Sequence, residues 1–172
     1  MGWRCSAQLL MMSTQKDYHY LSAGVSQLEN YLLSKELYYP LSLELPPLTL
    51  GGVLLSLARM GTQAAKFDEQ VEAVHLKWRS AWAVKSIQEI RARSELWANY
   101  LAEYLDDPKL GARLYAQNVR YRAMMNLLGK IEDDSDAFVK SVFKEGRFVW
   151  EDECAPNFSR KTFWFLFGTL KE

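Results

Sequence analysis

Glu72 and His75 are the residues whose types and spacing come nearest to metal chemistry in this 172-residue chain. Residues three apart share one helix face, so the pair could ligate a single ion, and two such pairs build a di-metal site in a helical bundle. The chain has no second copy, because its other histidine, His19, has Lys16 three positions before it. A mononuclear site also lacks ligands, so Glu72 and His75 read as a solvated glutamate beside a boundary histidine. Cys5 and Cys154 sit at opposite ends and make neither a metal knuckle nor a disulfide framework. Glu151, Asp152 and Glu153 precede Cys154 and disfavour its thiolate. There is no Gly-x-Ser-x-Gly, and no lysine follows Gly51-Gly52 as a phosphate loop requires. Those glycines are expected instead to let another backbone approach a tightly packed helix. Acid groups at Asp106-Asp107 and at Glu132-Asp133-Asp134 read as helix caps and exposed turns. No catalytic residue, cofactor or bound metal is therefore expected, and a metal-dependent enzyme at Glu72 and His75 ranks third among the functional readings.

A second chemistry is recognition of a phosphate backbone. From Pro108 to Ile131 there is no acidic residue, whereas Lys109, Arg113, Arg120, Arg122 and Lys130 are present. On a continuous helix Lys109, Arg113 and Arg120 fall within about 40° of one another. Such a row can track phosphates, with tyrosines available for stacking. The competing reading is a solvated basic face. Lys+Arg and Asp+Glu both number 21, and that zero net charge opposes a free-standing nucleic-acid binder. The alternative function is accordingly a nucleic-acid-binding helical subunit of a nucleoprotein complex, using Lys109, Arg113, Arg120 and Arg122.

Aromatic residues carry the third signal, with 6 Trp, 9 Tyr and 8 Phe. Core packing accounts for most of them, yet Trp and Tyr are also favoured interface anchors. Trp82, Trp97, Phe163, Trp164 and Phe167 are the candidate partner-interface residues. The run from Phe163 to Phe167 is apolar on every side, so it must be clamped by the fold or by a partner.

These residues depend on the elements that carry them. Hydrophobic residues make up 49% and charged residues 24%, the balance of an ordinary globular domain. The apolar run from Leu45 to Ala58 is broken by Pro46, Pro47, Gly51 and Gly52 and is shorter than the roughly 20 residues a bilayer needs. No membrane association is expected, and a reducing cytoplasm is the simplest location for two unpaired thiols. Residues 1–16 are expected to be a poorly ordered or mis-started extension, since Met11 and Met12 could each begin translation.

A first helix is predicted from Asp17, its cap, to Tyr39, stopped by Pro40. A second runs from Thr49 to Met60, ended by Gly61, apolar nearly all round and therefore central. From Thr62 to Asp107 there is neither glycine nor proline. A single helix from Ala64 to Leu105 would be about 60 Å long, against a diameter of about 40 Å for a compact domain of this size. Its first half carries Phe67, Val71, Val74, Trp78 and Ala81 as one stripe. Its second half carries Ile87, Ile90, Trp97, Leu101 and Tyr104, about 140° around the axis. A continuous or gently bent rod packing against two groups of helices fits this pattern; a kink near Val84 to Ser86 is the alternative. Asp107 caps a further helix that starts at Pro108 and closes on Gly129. An acidic turn at Glu132 to Asp136 precedes a short helix with Phe138, Val142 and Phe143, ended by Gly146. In the aromatic C-terminal segment 147–172, Phe163 to Phe167 is either a helix capped by Ser159, the favoured form, or a strand pairing with Arg147 to Trp150.

The fold expected is all-α: one helical-bundle-like domain over 1–172, built around one long central helix, with a short C-terminal hairpin as a variant. The leading function is a non-enzymatic interaction or structural subunit of a protein assembly, bound to other subunits or to itself.

Overall fold

The computed structural model describes residues 14–129, 142–143, 147–151 and 157–172. The all-α expectation holds: helices pack along a long central one, and a short antiparallel strand pair closes the C-terminus. In chain order come α1 (Thr14–Gly24), α2 (Leu28–Leu33), α3 (Leu50–Met60), α4 (Ala65–Lys77), α5 (Arg79–Asp106), α6 (Pro108–Arg113) and α7 (Tyr115–Leu128). They are followed by β1 (Phe148–Trp150) and β2 (Gly168–Leu170). Cys5, Cys154, Lys130, Gly146, Phe138 and the acidic turn from Glu132 to Asp136 lie outside the described residues.

Several boundaries follow local chemistry. The Thr49 hydroxyl accepts from the Gly52 N–H at 2.9 Å and caps α3, which ends where Gly61 adopts φ of 58°. Asp107 accepts from the Leu110 N–H at 3.2 Å, with Pro108 opening α6. α3 occupies the centre, as its all-round apolarity requires. Leu50, Val53, Leu57 and Met60 join one core cluster with Tyr20, Leu21, Leu28, Tyr31 and Trp82. Leu55 on the same helix joins a second cluster with Trp97, Tyr100, Leu101, Tyr104, Tyr115 and Phe165. The long helix α5 therefore does serve two groups of elements, one at each end.

Other boundaries depart from expectation. Asp17 is no cap; it lies inside α1, buried, held by Arg59 at 2.6 Å and Ser56 at 3.1 Å. Thr14 to Lys16 belong to α1 rather than to a loose extension. The first helical region is interrupted by a 3₁₀ turn at Val25–Gln27 and stops at Leu33, well before Pro40. Gly24 does not end this helical region, for its backbone stays helical while Leu48 packs against it.

The long rod is also corrected. It breaks at Trp78 (φ −123°, ψ 46°), neither continuous nor kinked at Val84 to Ser86. Main-chain bonding persists across the break, Trp78 N–H to Val74 and Trp82 N–H to Trp78, both at 2.9 Å. The bend lets the His75 ring stack on Trp82 at 4.3 Å and brings Lys77 to Glu29 at 2.9 Å. At 28 residues, α5 is about 42 Å long, close to the width of the globule.

The two opposed stripes do not exist within α5. Its buried side is one continuous row: Trp82, Lys85, Ser86, Glu89, Arg93, Trp97, Tyr100, Leu101 and Tyr104. Ile87, assigned to the core from its hydrophobicity, is 51% exposed. The basic helix likewise divides, at Leu114 (φ −91°, ψ 1°), into α6 and α7. There Gly111 lies so close to α5 that Tyr100 donates to its carbonyl at 2.5 Å.

In the tail, Phe163 to Phe167 is neither the favoured helix nor a strand. Trp164–Leu166 is a 3₁₀ turn, and the partner of β1 is β2, with Phe148 opposite Leu170 and Trp150 opposite Gly168. Two tyrosines pin this arrangement from the helices: Tyr115 donates to the Phe165 carbonyl and Tyr104 to the Lys171 carbonyl, each at 2.6 Å.

Candidate functional site

Between its two apolar ends, α5 buries a polar belt, which begins with Glu89. At 1% exposure, its carboxylate accepts from Arg93 Nη1 at 2.6 Å, the Tyr31 hydroxyl at 2.7 Å, the Leu50 N–H at 2.8 Å and the Gly51 N–H at 2.9 Å. A carboxylate at this position satisfies orphan amides of the first turn of α3 and complements its dipole. Arg93 extends the belt by donating from Nη2 to the Thr49 hydroxyl at 2.9 Å. Its guanidinium fits because Gly51 has no side chain; a Cβ there would stand 2.9 Å from Arg93 Nη1. The paired glycines thus admit side chains, where another backbone was expected.

One turn earlier, the Lys85 ammonium donates to the Glu36 carbonyl and lies 4.6 Å from the centre of the Tyr31 ring. Burial lowers the Lys85 pKa. The Tyr31 hydroxyl is raised, first by burial and then by the neighbouring Glu89 charge. Every charge here faces a partner, so the belt locks α2, α3 and α5 together.

Beside the belt opens a cleft of about 660 Å³, walled by Tyr20, Tyr38 and Tyr121 and bordered by Arg59, Arg93 and Arg120. Most of its floor is hydrogen-bonded within the chain, although the Arg59 Nε is buried without a partner among the described residues. Asp17 is held by Arg59 and Ser56, while Tyr20 accepts from the Thr49 N–H at 3.2 Å and donates to the Pro47 carbonyl at 3.1 Å. Burial raises the Asp17 pKa, with the Arg59 charge opposing it. Among the described residues no group of three or more His, Cys, Asp or Glu could hold a metal ion. Glu72 is exposed, and the His75 ring is occupied by its stacking on Trp82.

The residues singled out from sequence separate into three groups. Lys109, Arg113 and Arg120 are exposed, Arg120 at the cleft and the other two on α6 beyond the Leu114 break. Arg122 is not on their face. It is 5% exposed with its guanidinium 5.5 Å from the Phe165 ring, and burial lowers its pKa to about 10. Trp82, Trp97 and Phe167 are buried in the chain's own core. Phe163 and Trp164 are half-buried, packed edge-on against Phe158 and Phe143.

Sequence reasoning missed the belt and also the opposite side of α5. Val84 and Ile87 are 55% and 51% exposed, and Ala83, Ala98 and Ala102 are exposed along the same helix. The signal was present: the first apolar stripe, carried forward, lands on Lys85 and Glu89. A rule that equates buried with apolar does not see it. No helix among the described residues is long and apolar enough to cross a membrane. No family model, no curated protein and no solved structure matches this chain.

Proposed function

We propose that this protein is a non-enzymatic helical subunit of a protein assembly, and that the solvent side of α5 is its contact face. One observation carries the reading: the polarity of α5 is inverted over its middle. Lys85, Ser86, Glu89 and Arg93 face inward while Val84 and Ile87 face water. Burying charges costs several kcal/mol per ion before pairing, so hydrophobicity alone would turn this helix the other way. Four donors on Glu89 fix its rotation and hold an apolar surface outward. An exposed apolar face on a rigid element is the usual mark of a protein contact.

The test is a Val84→Glu, Ile87→Glu double variant. Neither side chain supports the core, so helical circular dichroism and the unfolding midpoint should match wild type. Size-exclusion chromatography with light scattering under native conditions should show loss of the associated species. A wild-type chain that is a compact monomer in its native extract, with a double variant indistinguishable from it, refutes the reading.

A further inference from the structure

The exposed face of α5 has an internal symmetry that names its partner. Along the helix, Val84, Ile87, Arg91, Glu95, Ala98 and Ala102 lie within about 40° of one line opposite the buried row. All six are exposed. Large apolar residues occupy the N-terminal half of this line, alanines occupy the C-terminal half, and one cation and one anion stand between them. Neither Arg91 nor Glu95 makes an ion pair or side-chain hydrogen bond among the described residues.

We infer that this face binds a second copy of the same chain, with the two α5 helices antiparallel about a two-fold axis passing level with Arg93. The inference rests on the assembly reading above and specifies its partner. A two-fold axis makes the contact isologous, so each feature must meet its own complement. About this axis Val84 comes level with Ala102 of the other copy, and Ile87 lies within one residue's rise, about 1.5 Å, of Ala98 on the same side, a large side chain over a small one at both ends. Arg91 meets Glu95 twice at the centre. On the flank, Gln88 meets Asn99, and both are exposed amides able to exchange hydrogen bonds. A parallel pairing would instead set Arg91 against Arg91 and Val84 against Val84, adding like-charge repulsion and leaving the alanines facing one another. Only the antiparallel pairing satisfies shape and charge together. A single helix crossing sits at the small end of specific interfaces, below about 1,200 Å², so the test must reach high protein concentration.

Sedimentation equilibrium of the full chain from about 1 to 500 μM tests this, with three variants. Arg91→Glu alone and Glu95→Arg alone should each weaken dimerisation about tenfold or more, since each creates like-charge contacts at the centre. The Arg91→Glu, Glu95→Arg double variant should restore the wild-type constant to within about threefold, because the pairs re-form with reversed sign. A double variant as weak as either single one overturns the antiparallel pairing. So does a chain that stays monomeric throughout the range. In that case, a heterologous complex lost on Val84→Glu, Ile87→Glu overturns the self-pairing alone, whereas no effect of that variant overturns the assembly reading as well.

Discussion

Glu89 and Arg93 stand one turn apart on α5 and meet at 2.6 Å, with 1% and 5% of their side chains exposed. Neither is tolerable there without the other. Replacing Glu89 by Ala strands the Arg93 charge, the Tyr31 hydroxyl and the Leu50 and Gly51 amides. Loss of one member of a buried pair costs about 3–5 kcal/mol, and urea titration should show a destabilisation of that size. Adding Arg93→Met to Glu89→Ala should cost clearly less than the sum of the two single changes, because no unpaired charge remains. Strict additivity would mean that the pair is not coupled.

Alkaline pH should unfold the protein cooperatively. Burial raises the hydroxyl pKa of Tyr20, Tyr31, Tyr100 and Tyr115 above the usual value near 10. Above pH 10 these groups ionise when unfolded but stay protonated when folded, so the folded state holds more protons and stability falls as pH rises. Below pH 10 their contribution is fully present. Lys85 and Arg122, lowered by burial, act in the opposite sense. Tyr100→Phe should flatten that slope by about 1.4 kcal/mol per unit. Urea titrations from pH 8 to 11.5 measure it, and a stability independent of pH above 10 would contradict the burial of these rings.

Glycine-to-alanine changes separate two kinds of close approach. Each gains about 1 kcal/mol of helix propensity. At Gly111 the new Cβ would stand 2.6 Å from the Tyr104 Cα, a main-chain atom that cannot swing aside. At Gly51 it would meet Arg93 Nη1 at 2.9 Å and the Met124 Cβ at 3.0 Å, one of which is the end of a long side chain. Gly111→Ala should therefore lower stability by at least about 2 kcal/mol and Gly51→Ala by about 1. Thermal melts that rank them in reverse would show that α5 and α6 are less tightly packed than described.

Arg122 should behave as a core residue. Arg122→Ala is expected to lower stability by about 2 kcal/mol or more, whereas Lys109→Ala and Arg113→Ala should stay within about 0.5 kcal/mol of wild type. Equal effects from all three would place Arg122 on the surface with the others.

The residue order by itself determined the all-α class and some of the element boundaries. Thr49 and Gly61 bound α3, Asp107 and Pro108 start α6, and the apolar surface all round α3 makes it central, because capping and hydrophobic periodicity are local. The break at Trp78 and the rotation of α5 were not local. At Trp78 no glycine or proline marks the break, and the contacts beside it, His75 on Trp82 and Lys77 with Glu29, exist only in the folded chain. Glu89 is held inward by the amides of Leu50 and Gly51, some forty positions earlier, which donate to it, and Arg93 by Glu89 and the Thr49 hydroxyl, which accept from it. A buried charge is prohibited by composition rules and permitted by partners, and partners distant in sequence exist only once the chain has folded. The same fact hid the outer face: Ile87 reads as core until Glu89 is seen to occupy the inside.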